Sequence, residues 1–286
     1  MRQGPAVRRR QLGVELRGLR QTAGLTSREA ARLAGWHQSK VSRIETGASG
    51  VSAADVTLLL DVYGVGDARR RALLKTLAGA AADSGGGGWW HAYRGLLPAE
   101  YRDFISLESQ ASAARTVETC VVPGLLQTAD YARAVTRATL ERLPPATVNS
   151  LVEVRIARQS VLVAERPLTL SAVLDEAVLR REVGGRAVMR AQLRRLAELA
   201  RLPCVRLQVM PFSAGGYAGL AGPFVIFSFP NISDLDVVVI DHLTSSLCLE
   251  RKEELEVYSA AFSAMQARAL SPEDTLELIG RINDDP

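Results

Sequence analysis

The chain has 286 residues, 47% of them hydrophobic and 5% aromatic, so it exceeds one typical domain and supplies a buried core easily. No basic start leads into an apolar run with a small-residue cleavage site, and aliphatic runs such as VVVI at 237–240 fall far short of the ~20 residues a membrane helix needs. A soluble, cytoplasmic protein with no membrane partner is expected. The net charge of +4 conceals an asymmetry: residues 1–82 hold twelve Arg, two Lys and six acidic residues, a balance of +8, while the remainder holds 21 basic and 25 acidic residues, a balance of −4. A basic head on a mildly acidic body points to a polyanion partner for the head alone.

Within residues 1–82 every segment reads as helix and every gap is short. Arg8 to Thr22 carries Leu12, Leu16 and Leu19 on one face, with Gly24 placed to stop it. Thr26 or Ser27 caps a second helix with Ala30, Leu33 and Ala34 on its apolar face, and Gly35 ends it. HQSKVSRIETG at 37–47 is the third, with Val41 and Ile44 facing inward. Ser52 opens a fourth helix, Asp55 to Tyr63, and Asp67 a fifth through Ala82. The stretch DSGGGG at 83–88 is a flexible linker by composition.

Residues 89–286 read as mixed α and β. Helices are predicted at 98–115, 128–140, 146–164, 186–200, 252–269 and 272–282, and strands at 168–174, 204–210, 223–229, 235–241 and 245–249. The last three strands are close together, which favours an antiparallel meander. The expected fold class is therefore an all-α helix-turn-helix domain of five helices (1–82), a linker (83–88) and an α+β domain with a mainly antiparallel sheet (89–286).

Two short helices joined by a tight turn, the second basic and rich in short polar side chains, follow the helix-turn-helix plan. A helix fits the major groove, where base edges present a unique donor and acceptor pattern. Gln38, Ser39, Ser42 and Arg43 cannot share the face of Val41 and Ile44, so they project outward together. Gln suits adenine, Arg suits guanine, and Ser suits either. The frame LRQTAGLTSREAARLAGWHQSKVSRIETG resembles the Cro and phage-repressor helix-turn-helix, the xenobiotic-response-element family, over about residues 9–79. That resemblance implies that Gln38, Ser39 and Arg43 contact bases in double-stranded DNA, and that Thr26, Ser27, Lys40 and Ser42 touch phosphates and fix the register. It also places Arg20 and Glu45 as an internal ion pair of architectural purpose. His37 stands where the family often has Ser or Thr, and no specific role is given to it. Since one recognition helix covers few base pairs, a homodimer is expected.

The body yields less chemistry. Asp175 and Glu176 follow a strand and precede AVLRRE, which fits a helix cap better than a catalytic pair. SAGGYAGLAG at 213–222 lacks the Lys-Ser/Thr ending of a phosphate loop and leads into a strand, so a mobile connection over the sheet is expected. Cys120, Cys204 and Cys248 read as buried free thiols, and His91 and His242 have no second ligand at metal spacing. Ser245 and Ser246 lack the glycines of a nucleophile elbow. No catalytic residue, metal or cofactor is predicted, and a DNA-tethered hydrolase is the weaker alternative. The segments WWHAYRGLLPAEYRDFISLESQA, VPGLLQTADYARA, LDEAVLRREVGG and VRLQVMPF resemble the domain of unknown function of actinobacterial WhiJ-like regulators, over about residues 89–280. That resemblance implies a small BldB-like partner protein, in an arrangement likened to antitoxin and toxin. The expected function is a transcriptional regulator whose C-terminal domain binds such a partner or an effector, or an antitoxin-like protein that neutralises one.

Overall fold

The computed structural model describes residues 5–47, 49–68, 70–71, 74–75, 78, 89–93, 95–140, 142–229, 236–242, 245–249 and 251–284. The glycine stretch at 83–88 and much of the fifth predicted helix lie outside the described residues. The chain divides into two compact units, Met1–Ala92 and Tyr93–Pro286.

The N-terminal unit contains α1 (Pro5–Thr22), α2 (Ser27–Leu33), α3 (Gln38–Glu45) and α4 (Ala53–Val62). Further on, Ala68, Arg70, Arg71, Leu74, Lys75 and Ala78 are helical. Leu12, Leu16 and Leu19 recur at helical spacing and form one buried cluster with Ala30, Ile44, Leu59, Leu60, Leu74 and Ala78. Each fully buried leucine contributes ~1.5–3 kcal/mol of transfer free energy. Gly13 sets the approach of α1 to the end of α3: a Cβ there would stand 2.6 Å from the carbonyl oxygens of Ile44 and Glu45. Gly35, at φ 70°, ends α2, with its N–H bonded to Arg32 O and that of Trp36 to Ala31 O.

The C-terminal unit is built on a sheet of β1 (Ala113–Glu118), β2 (Thr169–Asp175), β3 (Val205–Met210), β4 (Phe224–Ser228), β5 (Val237–Asp241) and β6 (Ser246–Leu249), in the order β3-β2-β1-β4-β5-β6. Its helices are α5 (Ala99–Glu108), α6 (Ala129–Thr139), α7 (Pro145–Arg158), α8 (Glu176–Arg180), α9 (Arg186–Leu199), α10 (Lys252–Arg268) and α11 (Pro272–Asp284). The last three strands form the expected meander, and β4 also runs antiparallel to β1, so the sheet is mostly antiparallel. Its other half is parallel: β1, β2 and β3 are joined by crossovers through α6 and α7, then α8 and α9. On one face Val117, Val173, Ile226 and Val238 pack with Phe262 and Met265 of α10. On the other, Phe104 of α5 meets Phe227 edge-to-face at 5.3 Å.

Three expectations are corrected. The helix predicted at 98–115 stops at Glu108, and β1 begins at Ala113. Local propensity favours helix through SLESQASAA, but pairing with β2 on one side and β4 on the other overrides it. The thiols are not buried: Cys120, just past β1, and Cys248, on the edge strand β6, are exposed, and Cys204 is half-buried. The segment at 213–222 folds as two short 3₁₀ turns and is tied down, since Tyr217 donates to Asp175 Oδ2 at 2.6 Å and Arg268 donates to the carbonyls of Ala214 and Gly216.

Candidate nucleic-acid interface

The second and third helices are held from both ends. Thr26 caps α2 in a reciprocal box: its hydroxyl accepts from Glu29 N at 3.2 Å, and Glu29 Oε2 accepts from Thr26 N at 2.8 Å. The Thr26 hydroxyl also donates to Glu29 Oε2, and this bond first, then the one from Thr26 N, holds the exposed Glu29 carboxyl below its usual range. His37 takes the cap position of α3 without a side-chain bond, so the helix start relies on the turn before it. Behind α3, Arg20 forks onto Glu45 with Nε to Oε1 at 2.7 Å and Nη2 to Oε2 at 3.0 Å. Its Nη1 donates to Leu25 O at 2.6 Å, in the turn that enters α2. One guanidinium thus joins α1, the α1–α2 turn and the end of α3, and the bond to Glu45 raises the Arg20 pKa further.

This anchoring divides α3 into two faces. Val41, Ile44 and Glu45 are buried, while Gln38, Ser39, Ser42 and Arg43 are exposed. Arg43 donates Nε to Ser39 O at 3.2 Å, which folds its stem along the helix and leaves both terminal nitrogens for another acceptor. Gln38 Nε2 donates to Ser27 Oγ at 3.1 Å, so the first residues of α2 and α3 meet at the surface. Ser27 keeps its hydroxyl proton for an acceptor outside the protein, whereas the Thr26 hydroxyl donates to Glu29 Oε2 at 2.7 Å. Lys40 is engaged as well: its ammonium lies 3.2 Å from Asp55 Oδ1 and 3.6 Å from the centroid of the Trp36 ring. Sequence reasoning missed this clamp because Asp55 belongs to α4 and Trp36 to the turn, at spacings no helical period connects.

It also missed a second buried pair, in the C-terminal unit. Arg158 of α7 forks onto Glu108 of α5 at 2.8 and 2.7 Å and donates to the Tyr101 hydroxyl at 2.6 Å. Burial opposes the charge of Arg158, yet Glu108 and Tyr101 more than offset it and raise its pKa. Among the described residues no three His, Cys, Asp or Glu side chains are gathered as metal ligands would be, and no helix is long and apolar enough to cross a membrane.

Comparison with protein families places these features. Residues 11–73 match a helix-turn-helix domain, a DNA-binding unit of the kind that α2 and α3 form. Residues 101–281 match a domain of unknown function, DUF5753. Searches of curated proteins and of solved structures gave no match. The DUF5753 match spans more than half of the chain, and the protein belongs to that family, with a helix-turn-helix domain ahead of it.

Proposed function

We propose that the protein is a sequence-specific transcriptional regulator of the Cro and phage-repressor type, in which α3 reads bases and the C-terminal unit receives a signal from a small partner protein or effector. The exposed row Gln38, Ser39, Ser42 and Arg43, on a helix whose opposite face is locked by Ile44 and the Arg20–Glu45 pair, carries this reading. Gln38 is suited to adenine, Arg43 to guanine and Ser39 to either. In this reading Ser27 and the exposed Ser42 contact phosphates, and Thr26 and Lys40 join them once they release Glu29 and Asp55. Two copies on an inverted repeat would set their recognition helices ~34 Å apart. In the C-terminal unit, β6 forms an edge of the sheet with Leu247 and Cys248 exposed, which suits strand addition by a small BldB-like partner. The unit acts as a receiver and not as an enzyme.

The test is selection of genomic fragments bound by the full chain, followed by footprinting and sedimentation of the complex. A shared inverted repeat under a dimer is expected. Binding that does not distinguish the selected repeat from scrambled duplex would overturn the reading. The partner half is tested separately, by titrating the small protein against the full chain with and without the repeat.

A further inference from the structure

The C-terminal unit encloses a cavity that no role above employs. It lies between the Phe104 face of the sheet and helices α5, α6 and α7, in two adjoining lobes of about 520 and 570 Å³. Tyr101, Phe104, Thr139, Arg155, Asp241 and His242 line both lobes. Each lobe falls within the ~300–1,000 Å³ typical of small-molecule sites. The deep wall is buried and largely apolar, with Ala114, Leu170, Phe227 and Val239, whereas Thr139, Leu140, Asp241 and His242 are exposed and mark the mouth.

The ionisable groups along this wall are unevenly matched, with acids outnumbering the bases left to meet them. Arg158 is fully engaged by both oxygens of Glu108 and by Tyr101. Arg155 remains, donating to Gln127 Oε1 at 3.2 Å. Facing it are two carboxylates, Glu118 and Asp241, neither in an ion pair among the described residues; Asp241 accepts the Ser246 hydroxyl, at 2.6 Å. The sheet explains their placement. The β1–β4 register, continued by one residue, sets Pro223 opposite Glu118, and the β4–β5 register sets Asp241 opposite Pro223. Both carboxylates therefore stand in one row on one face, two strand spacings or ~10 Å apart. Burial, and then the charge of Asp241, push the Glu118 carboxyl up to about 8, while the Thr116 hydroxyl and Arg155 pull it back. Around Glu118 stand Asp241 and His242 beside β5, Arg155 of α7, Tyr131 of α6 and, along the wall, the neutralised Arg158–Glu108 pair.

We propose that this cavity binds a small organic cation, a protonated amine on an aryl-sized apolar body, with its ammonium between Glu118 and Asp241 and its apolar part against Phe104, Val225 and Phe227. Where both acids are ionised, a neutral ligand leaves two carboxylates facing one arginine, and an anion adds a third negative charge against it. The regulatory consequence rests on the reading of this unit as a receiver of signals; the binding does not.

The experiment is calorimetric titration of the full chain at pH 8, where Glu118 is about half ionised, without DNA, with phenethylammonium, phenethyl alcohol and 3-phenylpropionate. The amine is expected to bind tightest, by roughly tenfold over the alcohol. Glu118→Gln removes that preference and leaves the alcohol unchanged, with the melting transition confirming a folded protein. Thr139→Trp, at the mouth, weakens the amine and the alcohol together without touching the carboxylates. Because only the ionised carboxylate pairs with the ammonium, amine affinity rises between pH 6 and 8 by up to about 50-fold, the ratio of ionised fractions for a group at about 8. Equal or tighter binding of the alcohol or the phenylpropionate, an unchanged amine affinity in Glu118→Gln, or no heat with any probe would each overturn the proposal. No DNA enters the titration, so a failure of the DNA-binding reading is recorded separately and leaves this result intact.

Discussion

Among the described residues the two units each bury an Arg–Glu fork, and the forks serve different purposes. Arg20 and Glu45 keep 10% and 6% of their side-chain surface, and Arg158 and Glu108 keep 6% and 4%, so both pairs are withdrawn from water. In the N-terminal unit the remaining contact goes to a backbone carbonyl, Leu25 O, and the pair ties together elements 25 residues apart, α1 and the end of α3. In the C-terminal unit it goes to a side chain, Tyr101, and the guanidinium also lies 4.9 Å from the Phe104 ring centroid, in the wall of a cavity. The chemistry is the same: two charges leave water and are repaid by a matched fork. Such pairs gain little over apolar replacements of equal volume, so what they supply is geometry. One fixes the angle of α3; the other fixes the separation of α5 and α7.

That difference is open to a direct test, with the largest effects expected anywhere in the molecule. Glu45→Ala or Glu108→Ala strands a buried guanidinium, at a cost of ~3–5 kcal/mol in denaturant unfolding of the unit concerned. Under conditions where both variants remain folded, Glu45→Ala should weaken DNA binding and spare amine binding, and Glu108→Ala should do the reverse. Losses under ~1 kcal/mol, the size of an exposed pair, would show that neither fork governs its unit.

The units also differ in how much of them the sequence disclosed. The head was legible because its signals are local: the leucines of α1 at helical spacing, the Thr26 and Ser52 caps, and Gly35 at the turn. Even there the Arg20–Glu45 pair came from the family frame, since no period connects positions 25 residues apart. In the body, composition discloses the meander strands, but the predicted helix at 98–115 runs into the first half of β1 and leaves its second half unassigned, and with it the row Ala114, Thr116, Glu118 that floors the cavity. An acid closing an alternating strand was the available signal, visible only once the strand was recognised. The Arg158–Glu108 fork spans 50 residues between two helices and left no trace in the pattern of either.

The second prediction sharpens the contrast through pH. Glu118 titrates at about 8 in the folded protein against 4.5 for the free group, so in that window the folded state holds the extra proton. Its stabilising contribution is complete below about pH 4.5 and is lost as pH rises toward 8, by at most ~1.4 kcal/mol per pH unit for one proton. Glu118→Gln should flatten the stability of the C-terminal unit across that range and leave the N-terminal unit unchanged. A wild-type curve already flat there would place Glu118 in open water.

A third prediction concerns base reading by the head alone. Arg43→Ala should cost ~1–3 kcal/mol on the selected site and relax specificity at one base pair. Binding to scrambled duplex should change far less, because a base-reading arginine contributes little to sequence-independent attraction. Equal losses on both duplexes would reassign Arg43 to the phosphates.

The smallest effect separates Lys40 from Arg43 on the same helix. The Lys40 ammonium is paired with Asp55 at 3.2 Å and rests on Trp36, and both its own side chain and that of Asp55 keep about a third of their surface. An ion pair that exposed is worth ~0.2–1 kcal/mol, so a phosphate competes for the lysine easily. If Lys40 turns to a phosphate on binding, it must first leave Asp55, and that cost lowers the observed affinity on every sequence alike. Asp55→Asn removes the competitor while the Asp55 backbone N–H, which Ser52 accepts at 3.0 Å, keeps its place in the cap of α4. Affinity should then rise by less than ~1 kcal/mol, equally for selected and scrambled duplexes. Lys40→Ala should lower both and reduce the slope of log K against log salt by ~0.9, the signature of one lost phosphate contact. A salt slope unchanged by Lys40→Ala would mean that the lysine stays with Asp55 and Trp36 in the complex and serves the fold alone.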